Sequence, residues 1–591
     1  MFLDDVNLKI IYIDIVETIK DLGKYTFPCL LANSVKKFGN RPALALVGQK
    51  EFTYNEVKEK SEEVSKMLLS FGLKRNDKVV IFAGGRPEWG ISYFGIVNEG
   101  MIAVPLLQDF SKTEVESIIK HCGDIKAIFI EERLYEKMKE LESILPPVII
   151  KIEDYSIIRG EKSCVVDVLP EVEVDEEDTA SIIYTSGTTG RSKGVELTHK
   201  NLVWSCMSGQ FVHRVNKFDK CLSFLPISHV YEFSIGFSMQ MLNGSCVYYL
   251  GKPPVVSALL PAFNIVHPTI VLSVPLVIEK IYKSKVLPTF QKTEKMKKLY
   301  SKPLFRKLLN RIAGKKLIKT FGGKLNFFGI GGSKVDPNVE VFMREAKFPY
   351  AIGYGLTETS PLIAGAGPEI TVPETLGLTL PGLDVKIANP NEKGVGEIVV
   401  KGPNVMKGYY KDPDLTAQAF TTEEDSCGAG YFKTGDLGDF EKIKGKVRLC
   451  LKGRCKNMIL GPNGENIYPE DLEFVLNQHP VVNESLVVEG KKGLVAIIQL
   501  DLDKIKSLYR GIEYNQAKLL NEIQFFVNSK MNRNSQVQEM QVVDEFEKTA
   551  SKKIKRYVYD LKNFVQEKFA EKQSDKSDKS DKNSEKGNDE K

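Results

Sequence analysis

Residues 50 to 130 alternate helix and strand signals, and that alternation restricts the fold more than any other stretch of the chain. Thr53 and Glu56 have the Ser/Thr-x-x-Glu spacing of a capping box, in which each residue satisfies a backbone N–H at a helix start. An amphipathic helix therefore opens there and stops near Gly72, and Val79-Val80-Ile81-Phe82-Ala83 follows as a buried strand. Ser111 and Glu114 repeat the box before another helix, and Ala127-Ile128-Phe129-Ile130 is the next strand. Strand, crossover helix and strand require parallel pairing with helices on both faces. The fold class expected is α/β, with a large N-terminal domain of parallel sheets and helices.

From about Pro381 to Leu451 the texture changes to short strands with many glycines, which predicts a small β-rich subdomain. A further helix and strand alternation from about 466 to 570 predicts a small α+β domain. Beyond Ser574 the repeat of Ser, Asp and Lys cannot bury a core and predicts a disordered tail. The 591 residues suffice for roughly three to four domains at about 150 residues each.

Several function classes fall away on composition. Lys plus Arg exceed Asp plus Glu by only 82 to 77, too little to make nucleic acid the main partner. Nine scattered cysteines without a C-x-x-C pair suit a reducing compartment, and the six histidines show no zinc-ligand spacing. Asp4, Asp5 and Asp14 interrupt the apolar N-terminus, which argues against a signal peptide. The uncharged run Pro253 to Ile278 is long enough to span a bilayer, but its five prolines predict short buried strands joined by turns instead.

The segment from Ser181 to Lys200 carries the clearest chemistry. An apolar strand runs into a loop holding Thr185, Ser186, Gly187, Thr188, Thr189, Gly190 and Lys193. Glycines let backbone N–H groups converge on an anion, hydroxyls add donors and the lysine adds charge, so the loop suits phosphate. It is not a Walker A loop, because no lysine followed by Ser or Thr stands at that motif's spacing. The plain alternative is a flexible surface loop of small residues.

This loop resembles the signature of the adenylate-forming superfamily, which includes acyl-CoA synthetases, firefly luciferase and peptide-synthetase adenylation domains. Gly353-Tyr-Gly-Leu-Thr-Glu-Thr359 resembles that family's adenine and magnesium motif, Tyr431 to Asp436 its ribose motif, and Gly453-Arg-Cys-Lys456 its hinge. The resemblance spans about residues 25 to 570. It implies that Tyr354, Gly355 and Thr357 meet the adenine, that Glu358 with Thr185 serves Mg2+, and that Asp436 and Arg454 hold the ribose. Gly331, Gly332 and Ser333 match the stretch walling the acyl pocket near adenine, and Pro226-Ile-Ser-His229 the segment that brings a histidine beside that pocket. His229 can equally be a satisfied core histidine. Val274 to Tyr282 resembles a segment of the long-chain branch.

Glu547 to Arg556 is similar to the family's catalytic-lysine motif P-x-T-x-x-G-K-I-x-R, and Thr549, Ile554 and Arg556 set the register at Lys553. Glu547 replaces the usual proline and Lys552 the usual glycine, so Lys552 acting instead stays open. The domains implied are an extension (1–24), a large domain (25–452), a small mobile domain (453–570) pivoting at Lys456, and the tail (571–591).

The function implied is an ATP-dependent fatty acyl-CoA synthetase for medium or long chains, using ATP, Mg2+ and CoA, with Lys553, Lys193, Glu358 and His229 as its catalytic set. An acyl-ACP synthetase or fatty acyl-AMP ligase is the nearest alternative, and a non-catalytic nucleotide or lipid sensor the alternative of another class. A cytoplasmic protein is expected, peripheral on the inner face of the membrane. That last expectation comes from Lys280 to Lys324, which holds fifteen Lys or Arg, one acid (Glu294), and interleaved Leu299, Leu304, Phe305, Leu308, Leu309, Ile312 and Leu317. Such a segment either settles on an anionic bilayer, with Lys295, Lys297, Lys298, Arg306 and Lys307 facing it, or packs its apolar side on the large domain.

Overall fold

The computed structural model describes residues 21–186, 192–460, 466–490, 493–508, 515–531, 535–549 and 553–559. Gly187, Thr188, Thr189, Gly190 and Lys552, most of the extension and the polar tail lie outside them. The described residues divide into two units: a large one of residues 21–185, 192–434 and 438–451, and a smaller one of 452–559 with the short pieces at 186 and 435–437.

Both capping boxes form. The Thr53 N–H donates to Glu56 at 2.7 Å while Thr53 Oγ1 accepts from the Glu56 N–H at 3.2 Å, opening the helix Tyr54–Ser70. Ser111 and Glu114 do the same for Lys112–Cys122. The first helix buries Val57, Val64 and Leu68 and meets the helix Pro87–Val97 at Gly95, where a Cβ would sit 2.6 Å from Val64 Cγ1. A glycine in mid-helix costs about 1 kcal/mol of propensity, and here it permits the close approach.

The strand Lys78–Phe82 is buried throughout and lies inside an eight-stranded sheet, paired in parallel with Ile102–Leu106 on one side and Ile125–Ile130 on the other. Helices cover both faces, which is why these strands read as unbroken apolar runs. A second sheet of nine strands is parallel through its middle, from Pro42–Leu46 through Cys246–Tyr249, Lys220–Ser223, Ile270–Ser273 and Phe327–Ile330 to Tyr350–Tyr354. The glycine-rich region forms a four-stranded sheet of Asp384–Ala388, Gly396–Lys401, Phe432–Ile443 and Lys446–Arg454. In the smaller unit, Val482–Gly490, Gly493–Leu500 and Val537–Val543 form one sheet. The helices Pro469–Leu476 and Gln516–Asn528 bury Leu472, Leu476, Ile523 and Val527 in a common core with Ala496 and Ile498 of its middle strand.

The expectation of short strands and turns over Pro253 to Ile278 needs correcting. A helix, Val256–Val266, runs through Pro261, followed by one strand, Ile270–Ser273, and a helix with Pro275 in its first turn. Pro261 is exposed, so the backbone carbonyl that its ring leaves unpaired is free to turn to water.

One buried acid gives the large unit a pH signature. Glu232 opens a π-helical stretch, Glu232–Ser238, and fits because Gly236 has no side chain: a Cβ there would sit 2.5 Å from Glu232 Oε1. Burial pushes its carboxyl up from 4.5 to about 8. The folded protein thus holds this proton where the unfolded chain releases it, so stability falls as pH rises from about 5 to 8. Glu232→Gln cannot ionise and should lack that decline. The melting curves of the two proteins are expected to diverge across this range, by on the order of 4 kcal/mol at its upper end. An offset that stays constant with pH would refute the protonated state.

Candidate active site

The strand Tyr350–Tyr354 ends in a turn whose course depends on Gly355. A Cβ at Gly355 would lie 1.7 Å from the Pro361 carbonyl oxygen, so no other residue fits the backbone there. Thr359 Oγ1 then accepts from the Leu356 N–H at 2.9 Å, closing a 3-10 turn, Thr357–Thr359, that carries Glu358. The Met406 N–H donates to the Glu358 carbonyl at 2.9 Å, which ties the turn to the segment before Gly408–Tyr409.

That short strand brings in a residue the sequence reading missed. Gly408–Tyr409 pairs antiparallel with the strand Ser192–Thr198, Tyr409 opposite Val195. The Tyr409 hydroxyl donates to Glu358 Oε1 at 2.9 Å, and Lys193 Nζ lies 5.1 Å from the centre of its ring. Burial and the neighbouring carboxylate push the phenol far above its ordinary pKa, so it remains a donor. Lys193 and Glu358 are thus held by opposite parts of one side chain. A two-residue edge strand has no periodicity to detect, and only the dipeptide Gly408-Tyr409 before another tyrosine marks it in the sequence.

Beside this cluster lies a small, partly open apolar cleft, lined by Tyr231, Ile235 and Met239 on one side and by Gly329, Ile330 and Gly353 on the other. Glycines create the room: a Cβ at Gly329 would lie 3.0 Å from Tyr231 Oη, and one at Gly331 would lie 3.2 Å from Tyr231 Cζ. Gly332 and Ser333, exposed, follow at the end of the strand Phe327–Ile330. His229 is half-buried two residues before Tyr231, and its Nδ1 accepts from the Tyr231 N–H at 3.4 Å. Tyr354 is 8% exposed and belongs to the large unit's main apolar cluster. Thr185 is half-buried at the end of the strand Thr179–Ser186.

Asp436 and Arg454, eighteen positions apart in the chain, meet across a hairpin with Arg454 Nε 3.1 Å from Asp436 Oδ1. Asp436 is buried and Arg454 is exposed. Lys456 is exposed in the 3-10 turn Cys455–Asn457 that follows.

Lys553 is exposed in the smaller unit. The Thr549 N–H donates to the Lys553 carbonyl at 2.8 Å, and the Lys553 N–H donates back to Thr549 Oγ1 at 3.2 Å. Lys548 and Ile554 form the bridge beneath. Arg556 donates through Nη2 to Glu473 at 2.6 Å. Glu473 is held by Arg556 against a burial that pushes its carboxyl upward. The motif's threonine and arginine thus build the support on which Lys553 stands.

The family described as "AMP-binding enzyme" matches residues 31–410. The long-chain-fatty-acid–CoA ligase FadD15 of Mycobacterium bovis is 30% identical over 73% of this chain and 74% of its own length. The chloroplastic long-chain-fatty-acid–[acyl-carrier-protein] ligase AEE15 of Arabidopsis thaliana is 25% identical over 83% of this chain and 79% of its own. Among solved structures, o-succinylbenzoate CoA synthetase of Bacillus subtilis in complex with its acyl-adenylate superposes with a TM-score of 0.71 at 23% identity, covering 89% of this chain and 97% of that one.

Proposed function

The chain belongs to the AMP-binding enzyme family, in its long-chain acyl-CoA synthetase branch, and on that premise we propose how its residues divide the work of an acid–thiol ligase. The reaction joins a fatty acid to CoA at the expense of ATP. A carboxylate is a poor acyl donor because its leaving group would be oxide. Its oxygen therefore attacks the α-phosphorus of ATP, the bond to pyrophosphate breaks, and an acyl-adenylate remains. The thiol sulfur of CoA then attacks the acyl carbonyl, the bond to AMP breaks, and the thiol proton passes to solvent.

The observation carrying this reading is that one strand joins the apolar cleft to the turn that carries the candidate metal ligand. Tyr350–Tyr354 lines the apolar cleft through Gly353 and continues into the turn that carries Glu358. We assign the apolar lining of this cleft to the acyl chain, of medium or long length, with His229 two residues before the lining Tyr231. Glu358 Oε2 carries no hydrogen bond from a described residue, so a hard carboxylate oxygen is open to Mg2+, with Thr185 as the second candidate ligand. Bound with ATP, the metal supplies positive charge where the transition state concentrates negative charge.

Lys193 and Lys553 add charge on the same phosphates. The loop from Thr185 and Ser186 through Gly187, Thr188, Thr189 and Gly190 supplies the backbone and hydroxyl donors around them. Tyr354, Gly355 and Thr357 with Gly331, Gly332 and Ser333 frame the adenine, and Asp436 with Arg454 takes the ribose, an arrangement their ion pair supports. The same reading takes residues 25–452 as the adenylating domain and 453–570 as the domain that turns about Lys456. A cytoplasmic location, with a peripheral membrane contact through residues 280–324, completes it. Among the described residues no helix is long and apolar enough to cross a membrane.

Purified protein with ATP, Mg2+ and a fatty-acid panel, offered CoA or acyl carrier protein, tests substrate and acceptor together by mass spectrometry. Acyl-CoA is expected; acyl-carrier product alone would favour the acceptor of the second relative, and absent pyrophosphate exchange would leave only the sensor. Within the site, Tyr409→Phe keeps the ring beneath Lys193 and removes the hydroxyl on Glu358. A hydrogen bond to a charged group contributes about 1.5–3 kcal/mol, so pyrophosphate exchange should fall roughly tenfold or more, with a raised Mg2+ requirement. An unchanged Mg2+ titration would remove Tyr409 from the site.

A further inference from the structure

The helix Pro303–Thr320 divides its large apolar residues between an inward and an outward face. Its inward face packs Leu309, Ala313, Leu317 and Ile318 on an apolar cluster of the large unit, beside a buried polar group. Arg306 donates to the Glu345 carboxylate through Nε at 3.0 Å and Nη2 at 2.7 Å, and Asn310 Nδ2 adds a third bond at 2.8 Å. The Tyr300 hydroxyl reaches Asn310 Oδ1 at 3.0 Å. Gly314 lies so close to its neighbour that a Cβ would sit 2.4 Å from the Ala346 carbonyl oxygen, and Leu317 is the one apolar side chain fully buried on this face.

The outward face is apolar. Leu304 is 82% exposed, Leu308 56% and Ile312 59%, and their four-residue spacing stacks them in a ridge, with Phe305 45% exposed beside it. Lys307, Arg311, Lys315, Lys316 and Lys319 flank the ridge, all exposed, and the helix contains no acid. Two sequence expectations change accordingly. Leu309 and Leu317 turn inward, but Leu304, Phe305, Leu308 and Ile312 do not pack on the large domain. Arg306, counted among the membrane-facing cations, is committed to Glu345.

We propose that this outward face is a docking surface for an anionic lipid bilayer. The inference deepens the peripheral contact assigned above to residues 280–324 and rests on that reading. The apolar ridge enters the boundary between headgroups and acyl chains while the flanking lysines and Arg311 extend to the lipid phosphates. Water alone gives no reason for a ridge of large apolar side chains ringed by five cations, whereas an anionic interface satisfies both parts at once. The surface also brings the enzyme to the phase in which its water-insoluble substrate resides.

The test is sedimentation of the full chain with phosphatidylglycerol-containing and pure phosphatidylcholine vesicles at low and high salt. Binding to the anionic vesicles, weakened by salt, is expected. L304S/L308S/I312S and, separately, K307E/R311E/K315E should each lower the partition coefficient roughly tenfold or more. Because these side chains are exposed, the melting temperature and the ligase rate on a short, water-soluble acid should be unchanged. Equal binding to both vesicle types, or variants that sediment like the parent, would overturn the proposal. So would failure to bind vesicles combined with capture of acyl carrier protein, or self-association, through these same residues. A chain that binds anionic vesicles through this face without ligase activity would sink the enzymatic reading and uphold the docking surface.

Discussion

Lys553→Ala is expected to abolish acid-dependent pyrophosphate exchange, by at least 10²- to 10³-fold, while thioester formation from supplied acyl-adenylate proceeds at close to the parent rate. The adenylation transition state gathers negative charge between two anions, and a fixed ammonium there has no substitute in water. In the second step AMP leaves from an anhydride already formed, and that demand is gone. The support for Lys553 is backbone-directed, through Thr549 and the bridge beneath it, so truncating the side chain leaves these hydrogen bonds in place. Lys552→Ala is the control for register. If it proves the more damaging change, the motif is displaced by one position; if Lys553→Ala slows both steps equally, the lysine's role is structural.

The elements of the large unit that sequence made legible are those whose signal is local. Capping boxes at Thr53 and Ser111 require only four consecutive residues, and the strands at Lys78–Phe82 and Ile125–Ile130 announce themselves because burial on both faces makes every position apolar. Pro253 to Ile278 misled because proline's helix penalty is an average over buried and exposed positions, and exposure of Pro261 is a tertiary fact. The helix Pro303–Thr320 shows the same limit in a sharper form. Its apolar residues recur at helical spacing, but spacing cannot say that Leu309, Leu317 and Ile318 pack inward beside the Arg306–Glu345 pair while Leu304, Leu308 and Ile312 stay exposed.

The candidate site divides in the same way. Glu358, Asp436 and Arg454 were legible as motif residues, and Asp436 with Arg454 form a real ion pair. Tyr409 was not, because what marks it is contact with Lys193 and Glu358, which come from segments more than fifty residues away along the chain. Tyr354 shows its flanking glycines in the sequence but not its 8% exposure, because no local pattern reports how much of a ring its surroundings leave open.

Lys456→Pro should separate the two half-reactions from the other side. Lys456 is exposed in the turn after Arg454, and the nucleotide contacts assigned to Asp436 and Arg454 do not involve its side chain. A 3-10 turn has φ near −60°, close to the value a proline ring imposes, so the variant is compatible with the turn as it stands. Movement of the smaller domain between adenylation and thiol attack needs a large change of φ or ψ at one or two residues. If Lys456 supplies it, proline opposes the second conformer by about 3 kcal/mol, which slows thioester formation roughly 10²-fold. Acyl-adenylate should then form at the parent rate, accumulate to about one equivalent per enzyme and leak slowly to CoA, as rapid-quench sampling would record. Either of two results removes Lys456 as the pivot: an acyl-adenylate that fails to form, which would mean that the turn also shapes the nucleotide site, or an overall rate that does not change, which would place the rotation elsewhere in the linker.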